Sequence, residues 1–491
     1  MEAGTLTEVE AQEESVFDAR PVFILGCLIA LYVVVFGTLT WRQQSNFGTF
    51  GFDMGIYDQG IWLVSHFHYP FDTVRGLNYF GHHVNVITLL FVPFYWLGAG
   101  PHFLYLVETL AMAAGAIPVW LLARDKVDPW TALVPAGAYL LFPSLEWINW
   151  WHFHPDALII TPLLFAWWLA TRRNWRWYVV ALVCALAAKE DAALAVLMLG
   201  IVLWVRKERK WAYITSAAGF VWFLVATKLI IPYANHGKEA FYEELFPGLG
   251  HSMFQILWNM VRHPSRVYRF AVLPDRLKYY RQLVFPTAGL ALGAPLILVI
   301  LFPQTLVNII SAHQPTHDIK YHYSSVLIAA IFIATVETFC RVARRSDGWK
   351  VAVVAVLVLS SVLSNREWSP SPIGRQYHSG IWAQPQPRHK ILNEALKLIR
   401  PGDKVTATYY IVPHITHRQY AYEFPNPFRV ANWGINGEDP PNPNTSNTLI
   451  LDTTLNGSDD GLYQTLVGPY GPFKIVFSED NIIVARRKKG F

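Results

Sequence analysis

Apolar stretches fall at roughly 21–41, 101–123, 131–147, 156–171, 176–205, 211–231, 283–311, 323–340 and 349–363, separated by short polar and basic runs. A helix needs about 20 residues to cross the hydrocarbon core of a bilayer, so most of these stretches predict single crossings. Two do not. The stretch 176–205 is interrupted at its middle by Lys189-Glu190-Asp191, and 283–311 carries Gly293-Ala294-Pro295 near its centre. Charges inside an apolar run are costly in lipid, and a proline removes a helical backbone donor. Splitting both stretches gives about eleven crossings. Segment 85–98 is apolar but too short to cross, and predicts a juxtamembrane or re-entrant helix.

Four connections are basic: Arg124/Lys126, Arg172/Arg173/Arg176, Arg206/Lys207/Arg209/Lys210 and Arg341/Arg344/Arg345/Lys350. Lysine and arginine mark cytoplasmic loops. All four reach the cytoplasm together only if 176–205 is a hairpin. That solution makes 1–20 a cytoplasmic tail and 21–363 the transmembrane domain. It places outside the loop 42–100, residues 146–156, the Lys-Glu-Asp tip, the loop 232–282 and residues 311–323. Arg20 and Arg42 flank the first span equally, so its orientation follows from the other loops and not from its own charges.

From Ser364 the pattern changes. Proline, asparagine and glycine become common and apolar runs shorten to strand length. His389–Ile399 predicts an amphipathic helix stopped by Pro401-Gly402. Residues 405–408, 448–451, 473–477 and 482–485 predict strands. Residues 364–491 therefore read as a small extracytoplasmic α/β domain. The expected fold is mainly α: a polytopic helical bundle with this domain appended.

Composition agrees with that pattern. Hydrophobic residues make up 53% of the 491 and charged residues 15%, against about 25% charged for a soluble domain. The net charge of +5 sits mostly in the loop clusters, so it reflects topology and gives no reason to expect a nucleic-acid partner. Cys27, Cys184 and Cys340 each lie in an apolar stretch without a CxxC partner, which argues against a disulfide framework or a cysteine zinc site. Residues 1–20 carry six acidic side chains and only Arg20 as a base. That is no signal-peptide n-region, so Pro21–Trp41 predicts a retained first span in a multi-pass plasma-membrane protein.

The candidate chemistry collects in the connections assigned to the outside. Asp53 and Asp58 follow the first span in a glycine-punctuated loop; they suit a general base or a cation ligand, or else cap and solvate an interfacial helix. His82-His83 suits a phosphate, a sugar hydroxyl or a metal, or is an interfacial pair. In Trp150-Trp151-His152-Phe153-His154-Pro155-Asp156, Pro155 and Asp156 fit the first turn of the next helix. Capping leaves the two histidines and two tryptophans unexplained. Lys189-Glu190-Asp191 must pair, reach water, or both. Its plain reading is a hairpin tip emerging at the surface; its functional reading is a lysine that binds a phosphate, held by carboxylates. His313, His317, Asp318, Lys320, His322 and Tyr323 crowd one further outer segment. No HxxxH or HExxH spacing marks a metal site, so no cofactor is assigned and a divalent metal stays the alternative.

The order of these motifs resembles the polyprenyl-phosphate-sugar-dependent glycosyltransferases of the GT-C superfamily. His154-Pro155-Asp156-Ala157-Leu158 is similar to a Pro-Asp-Ala-Leu element of its protein O-mannosyltransferase and aminoarabinose-transferase group, and Lys189 stands where that group has a Thr-Lys-Gly-Pro element. More closely, Phe52-Asp53, Tyr57-Asp58-Gln59, Phe153-His154, Lys189-Glu190-Asp191 and His322-Tyr323 resemble a prokaryotic membrane family known as domain of unknown function 2079. The superfamily likeness implies Asp53 as catalytic base with Asp58 as its runner-up. It implies Lys189 at the carrier phosphate, and His154 and Asp156 at donor or acceptor. His82, His83, Glu190, Asp191, Lys320 and His322 join the donor-phosphate or substrate set. Two features depart from the superfamily: Glu190-Asp191 replaces Gly-Pro after the lysine, and the pair of adjacent acids in the first loop is absent. A negative tip needs partners, for which Arg75, Lys320 and Arg281 are candidates.

The resemblance implies transfer of a sugar from a polyprenyl-phosphate donor, in contact with membrane lipids, to an envelope glycan, lipid or protein. Two other readings stand beside it. A small-solute transporter would use the buried charges as a relay, but its halves should repeat, and 189–191 is unlike 293–295. A non-catalytic envelope protein would bind carbohydrate through its α/β tail.

Overall fold

Helix Ser325–Ala343 is apolar all round and correspondingly buried all round, with Val326, Ile328, Phe332, Val336 and Phe339 in the core. In the computed structural model, which describes residues 18–237, 245–246, 248–377, 384–434 and 441–490, this helix is the axis of the bundle. Helices Pro101–Arg124, Leu133–Leu140, Pro155–Thr171 and Asp347–Trp368 pack around it. Trp175–Ala188 lies against the 155–171 helix, and Ala192–Val205 against Arg209–Val225. Helices at the rim turn apolar residues outward: Phe23, Leu31 and Val34 on Arg20–Ser45, and Val351, Leu359 and Leu363 on Asp347–Trp368. Such faces suit lipid. Nearly all of the expected cytoplasmic tail, and part of the 232–282 loop, lie outside the described residues.

Among the described residues, five helices are long and apolar enough to cross a membrane: Arg20–Ser45, Pro101–Arg124, Arg209–Ala234, His322–Ala343 and Asp347–Trp368. Val86–Tyr95, Pro155–Thr171, Trp175–Ala188, Ala192–Val205 and Pro295–Ile310 are shorter apolar helices. The bundle is thus helical and apolar, without resolving into eleven separate full-length crossings. Val86–Phe91 is 3₁₀ and Val92–Tyr95 α-helical, so at about 2.0 and 1.5 Å per residue the segment spans about 18 Å, too short to cross the hydrocarbon core.

The stretch 283–311 differs in its first half from the expected pair of short helices. Its second half is the helix Pro295–Ile310, but Phe285–Gly293 runs as two 3₁₀ turns joined by left-handed Ala288 (φ 54°) and Gly289 (φ 70°). The freed carbonyls find side-chain donors: Ser360 Oγ bonds to Phe285 O, Ser361 Oγ to Pro286 O at 3.1 Å, and Arg341 Nη1 to Gly293 O at 3.0 Å. Irregular backbone survives among transmembrane helices where protein supplies the missing bonds.

Among the described residues there are seven short strands. β1 (Phe71–Asp72) and β2 (Leu77–Asn78) form a hairpin in the first loop. β3 (Val405–Ala407), β4 (Ala421–Glu423), β5 (Thr448–Asp452), β6 (Phe473–Glu479) and β7 (Ile482–Arg487) form one sheet in the order β4-β3-β5-β7-β6. β3 runs parallel to both β4 and β5; β5, β7 and β6 are antiparallel. Helix Asp460–Val467 covers one face through Tyr463 and Leu466. The other face buries Val405, Ala407 and Val484 against Leu392 and Ala395 of helix Pro387–Lys397, in one core with Phe47, Ile56 and Val74. The C-terminal sheet is therefore seated on the first loop, which decides what surrounds Asp53.

Candidate functional site

Asp53 rides on a single π-helical turn, Gly51–Gly55, between the first span and helix Ile56–Ser65. Such insertions re-aim side chains and are frequent at functional sites. The turn points Asp53 at His154, whose Nε2 lies 3.5 Å from Asp53 Oδ1. His154 Nδ1 donates to the His152 carbonyl at 2.9 Å, and its backbone N–H donates to Glu108 Oε1 at 3.2 Å. With Nδ1 committed as a donor, Nε2 faces a carboxylate favourably only if it also carries a proton. Burial works against the imidazolium, but Asp53 and Asp156 outweigh it and raise His154 above its ordinary value. Burial would also raise Asp53, yet the neighbouring imidazoles, His154 foremost, hold it well below the usual carboxylate range.

The His154 ring stacks on His322, centroids 3.8 Å apart and planes at 20°. Tyr57 meets the same ring edge-on at 5.6 Å. Beyond His322 a small cavity is lined by Asp156, Lys189, Asp191, Gln304, His322 and Tyr323. Here the Lys-Glu-Asp break becomes intelligible. Lys189 is buried, not emergent: its Nζ donates to Asp156 Oδ1 at 2.7 Å and lies 3.4 Å from Asp191 Oδ2. Glu190 takes partners from the first loop, accepting from His83 Nδ1 at 2.8 Å and the Val84 amide at 3.0 Å. Burial keeps His83 neutral, down to about 3, so it is an N–H donor there. The His82 ring lies 4.2 Å from that of His83.

Asp53, His154, His322, Asp156, Lys189, Asp191, Glu190, His83 and His82 thus form one contiguous cluster, drawn from four separate connections. Two of the candidate site residues, Asp58 and Lys320, and the candidate partner Arg281 make other contacts. Asp58 accepts from Tyr95 Oη at 2.7 Å and from Thr416 Oγ1, and pairs with His417 Nε2 at 3.2 Å. It ties the first loop to the C-terminal domain. Lys320 lies over the Trp147 ring at 4.7 Å, and Arg281 over Trp368 at 5.5 Å. At the tip Lys189 supplies the positive charge and neutral His83 a hydrogen bond.

His152, the other histidine of the 150–156 motif, also borders the cluster, as do Glu108, Gln304 and Glu423, which were not among the sequence candidates. Glu108 had a signal, a lone carboxylate in the span 101–123. Among the described residues, Asp156 Oδ2, His322 Nδ1, His152 Nε2, Glu108 Oε2 and Glu423 Oε2 are buried without a hydrogen-bond partner. Orphaned buried polar atoms are rare in folded proteins, and each calls for a partner that the protein itself does not supply. The described residues hold no group of three or more His, Cys, Asp or Glu side chains that could bind a metal ion.

The same architecture occurs in ArnT from Cupriavidus metallidurans bound to undecaprenyl phosphate, with TM-score 0.54 and 12% identity over 96% of this chain and 99% of that one. AglB from Archaeoglobus fulgidus, in complex with an inhibitory peptide and a dolichol-phosphate, is more distant, with TM-score 0.43 and 10% identity over 95% of this chain and 74% of that one. No curated protein matches the sequence. The ArnT likeness shows the fold, which is GT-C-like. A family model described as a predicted membrane protein (DUF2079) matches residues 44–459, most of the chain including the Asp53, His154, Lys189 and His322 connections, and the protein belongs to that family.

Proposed function

We propose that this protein is a membrane glycosyltransferase that moves a sugar from a polyprenyl phosphate to an acceptor on the outer face of the plasma membrane, with the C-terminal domain on that face. The observation that carries the reading is the continuous cluster from Asp53 through His154 and His322 to Lys189, with its orphaned polar atoms. It occurs in the fold of a protein bound to undecaprenyl phosphate.

In this mechanism an acceptor hydroxyl or amine attacks the anomeric carbon of the donor sugar. A bond forms from the acceptor atom to that carbon, and the bond from the carbon to the phosphate oxygen breaks. The electron pair leaves on the lipid phosphate and the acceptor proton passes to Asp53. A carboxylate paired with an imidazolium is always ionised but weakly basic. It suits a transition state in which the phosphate departs early and the acceptor becomes acidic late. Lys189 supplies charge to the leaving phosphate. Its three N–H donors exceed the two carboxylates that now accept from or approach it. His154, Asp156 and His322 contact the sugar between the two ends, and His82, His83, Glu190 and Asp191 brace the lysine.

Undecaprenyl phosphate itself is the probe. Purified protein in lipid nanodiscs should bind it, and Lys189→Ala should weaken binding at least about tenfold, the loss of one buried charge contact. Equal binding by both proteins would remove the phosphate site from Lys189.

A further inference from the structure

Glu423 ends strand β4 at its carboxyl end, beside the carboxyl end of the parallel strand β3. In open α/β sheets, ligands bind in the crevice outside these strand ends. Here that crevice receives the Asp53 turn. The Gly51 amide donates to the Tyr409 carbonyl at 2.8 Å, just past β3. A Cβ at Gly51 would fall 2.6 Å from Glu423 Oε2 and 2.9 Å from Val412 Cβ, and a Cβ at Gly55 would meet Val412 Cγ1 at 3.1 Å. The turn carries glycine where the C-terminal domain presses on it, and the Glu423 carboxyl is brought against its backbone. That Oε2 is buried and has no hydrogen-bond partner among the described residues. Burial and the charge of Asp53 push Glu423 up to about 7. A buried, unpartnered carboxyl set against the turn that carries Asp53 is unfavourable on its own, and becomes favourable when a donor group reaches it.

We propose that Glu423 is an acceptor-positioning residue: it takes a hydrogen bond from a second donor group on the acceptor, adjacent to the one whose proton Asp53 removes. This rests on the transferase reading above and narrows it. The acceptor class is one with two neighbouring hydrogen-bond donors, as on adjacent carbons of a sugar. Glu423 stands on the C-terminal-domain side of Asp53, whereas the lysine and its cavity lie beyond His154 and His322. Donor and acceptor thus approach the base from different domains. The first loop has no adjacent pair of acids, and the C-terminal domain supplies the second carboxyl.

Membranes of source cells lacking the chromosomal gene, carrying the full-length protein instead, provide the donor. Octyl glucoside, with neighbouring hydroxyls, and octanol, with one, serve as acceptor probes. Wild type should favour octyl glucoside by at least about tenfold in kcat/KM, and Glu423→Met, which has no comparable acceptor, should remove most of that preference. Gly51→Ala should act in the same direction with no change of charge, because its Cβ displaces the carboxyl. Undecaprenyl phosphate binding should stay unchanged in both variants. A preference retained in Glu423→Met overturns the inference. So does lipid-phosphate binding that falls in parallel with transfer, which marks Glu423 as a structural support. Wild-type membranes that glycosylate neither alcohol count against the transferase reading itself, and this inference falls with it.

Discussion

His154 Nε2 faces Asp53 Oδ1 at 3.5 Å while the other nitrogen of the same ring donates to the His152 carbonyl. This fixes the imidazole as a cation opposite an ionised carboxylate, and it gives the pair a definite pH signature. His154 is raised in the folded protein, so its contribution is complete below its unfolded value of about 6.5 and is lost as pH rises through the raised one. Asp53 is lowered, so its contribution is present above about 3.9 and is lost as pH falls through the lowered value. Thermal stability of wild type should therefore decline above pH 7 more steeply than that of His154→Gln. Parallel curves would refute the ion pair.

Lys189 and Asp156 are both buried and 2.7 Å apart. Lys189→Met strands Asp156 without its partner and should cost roughly 3–5 kcal/mol of stability. Adding Asp156→Asn should recover a substantial part of that loss, because the orphan charge goes with it. Denaturation of the two single variants and the double variant measures the coupling. Additive losses would show that the two side chains do not interact.

Asp58 holds the C-terminal domain to the first loop through Tyr95, Thr416 and His417. Asp58→Asn should destabilise this junction by about 1–3 kcal/mol and speed hydrogen exchange in residues 412–420, while the helical bundle keeps its protection. Burial lowers His417 but Asp58 outweighs it, so His417 is raised overall and the junction should also loosen as pH climbs through that value. Unchanged exchange at 412–420 would mean that Asp58 does not couple the two parts.

Much of this was legible in the sequence for plain reasons. Three charges inside an apolar run had to find partners, and they found Asp156, His83 and the Val84 amide. Pro155-Asp156 opened a helix because proline and an acid suit a first turn. Asp53 and Asp58 could not be told apart, since they are five residues apart on one loop. In the folded chain the π turn carries Asp53 toward His154 and the following α-helix carries Asp58 toward Thr416. Strand β4 is three residues long and carries no periodicity, so Glu423 had no signal. Its place follows from pairing with β3, a tertiary fact. The 3₁₀ path through 285–293 was likewise hidden, because it depends on donors from Arg341, Ser360 and Ser361 on other helices.

In the proposed reaction Asp53 takes the acceptor proton at a site whose donor end is built separately around Lys189. The most direct measurement compares Asp53→Asn with wild type in nanodiscs, reading undecaprenyl phosphate binding and, in source-cell membranes, transfer of sugar from lipid to acceptor. Transfer should fall by at least about a hundredfold, as for loss of a general base, while lipid-phosphate binding persists. Transfer by Asp53→Asn at the wild-type rate would contradict the account.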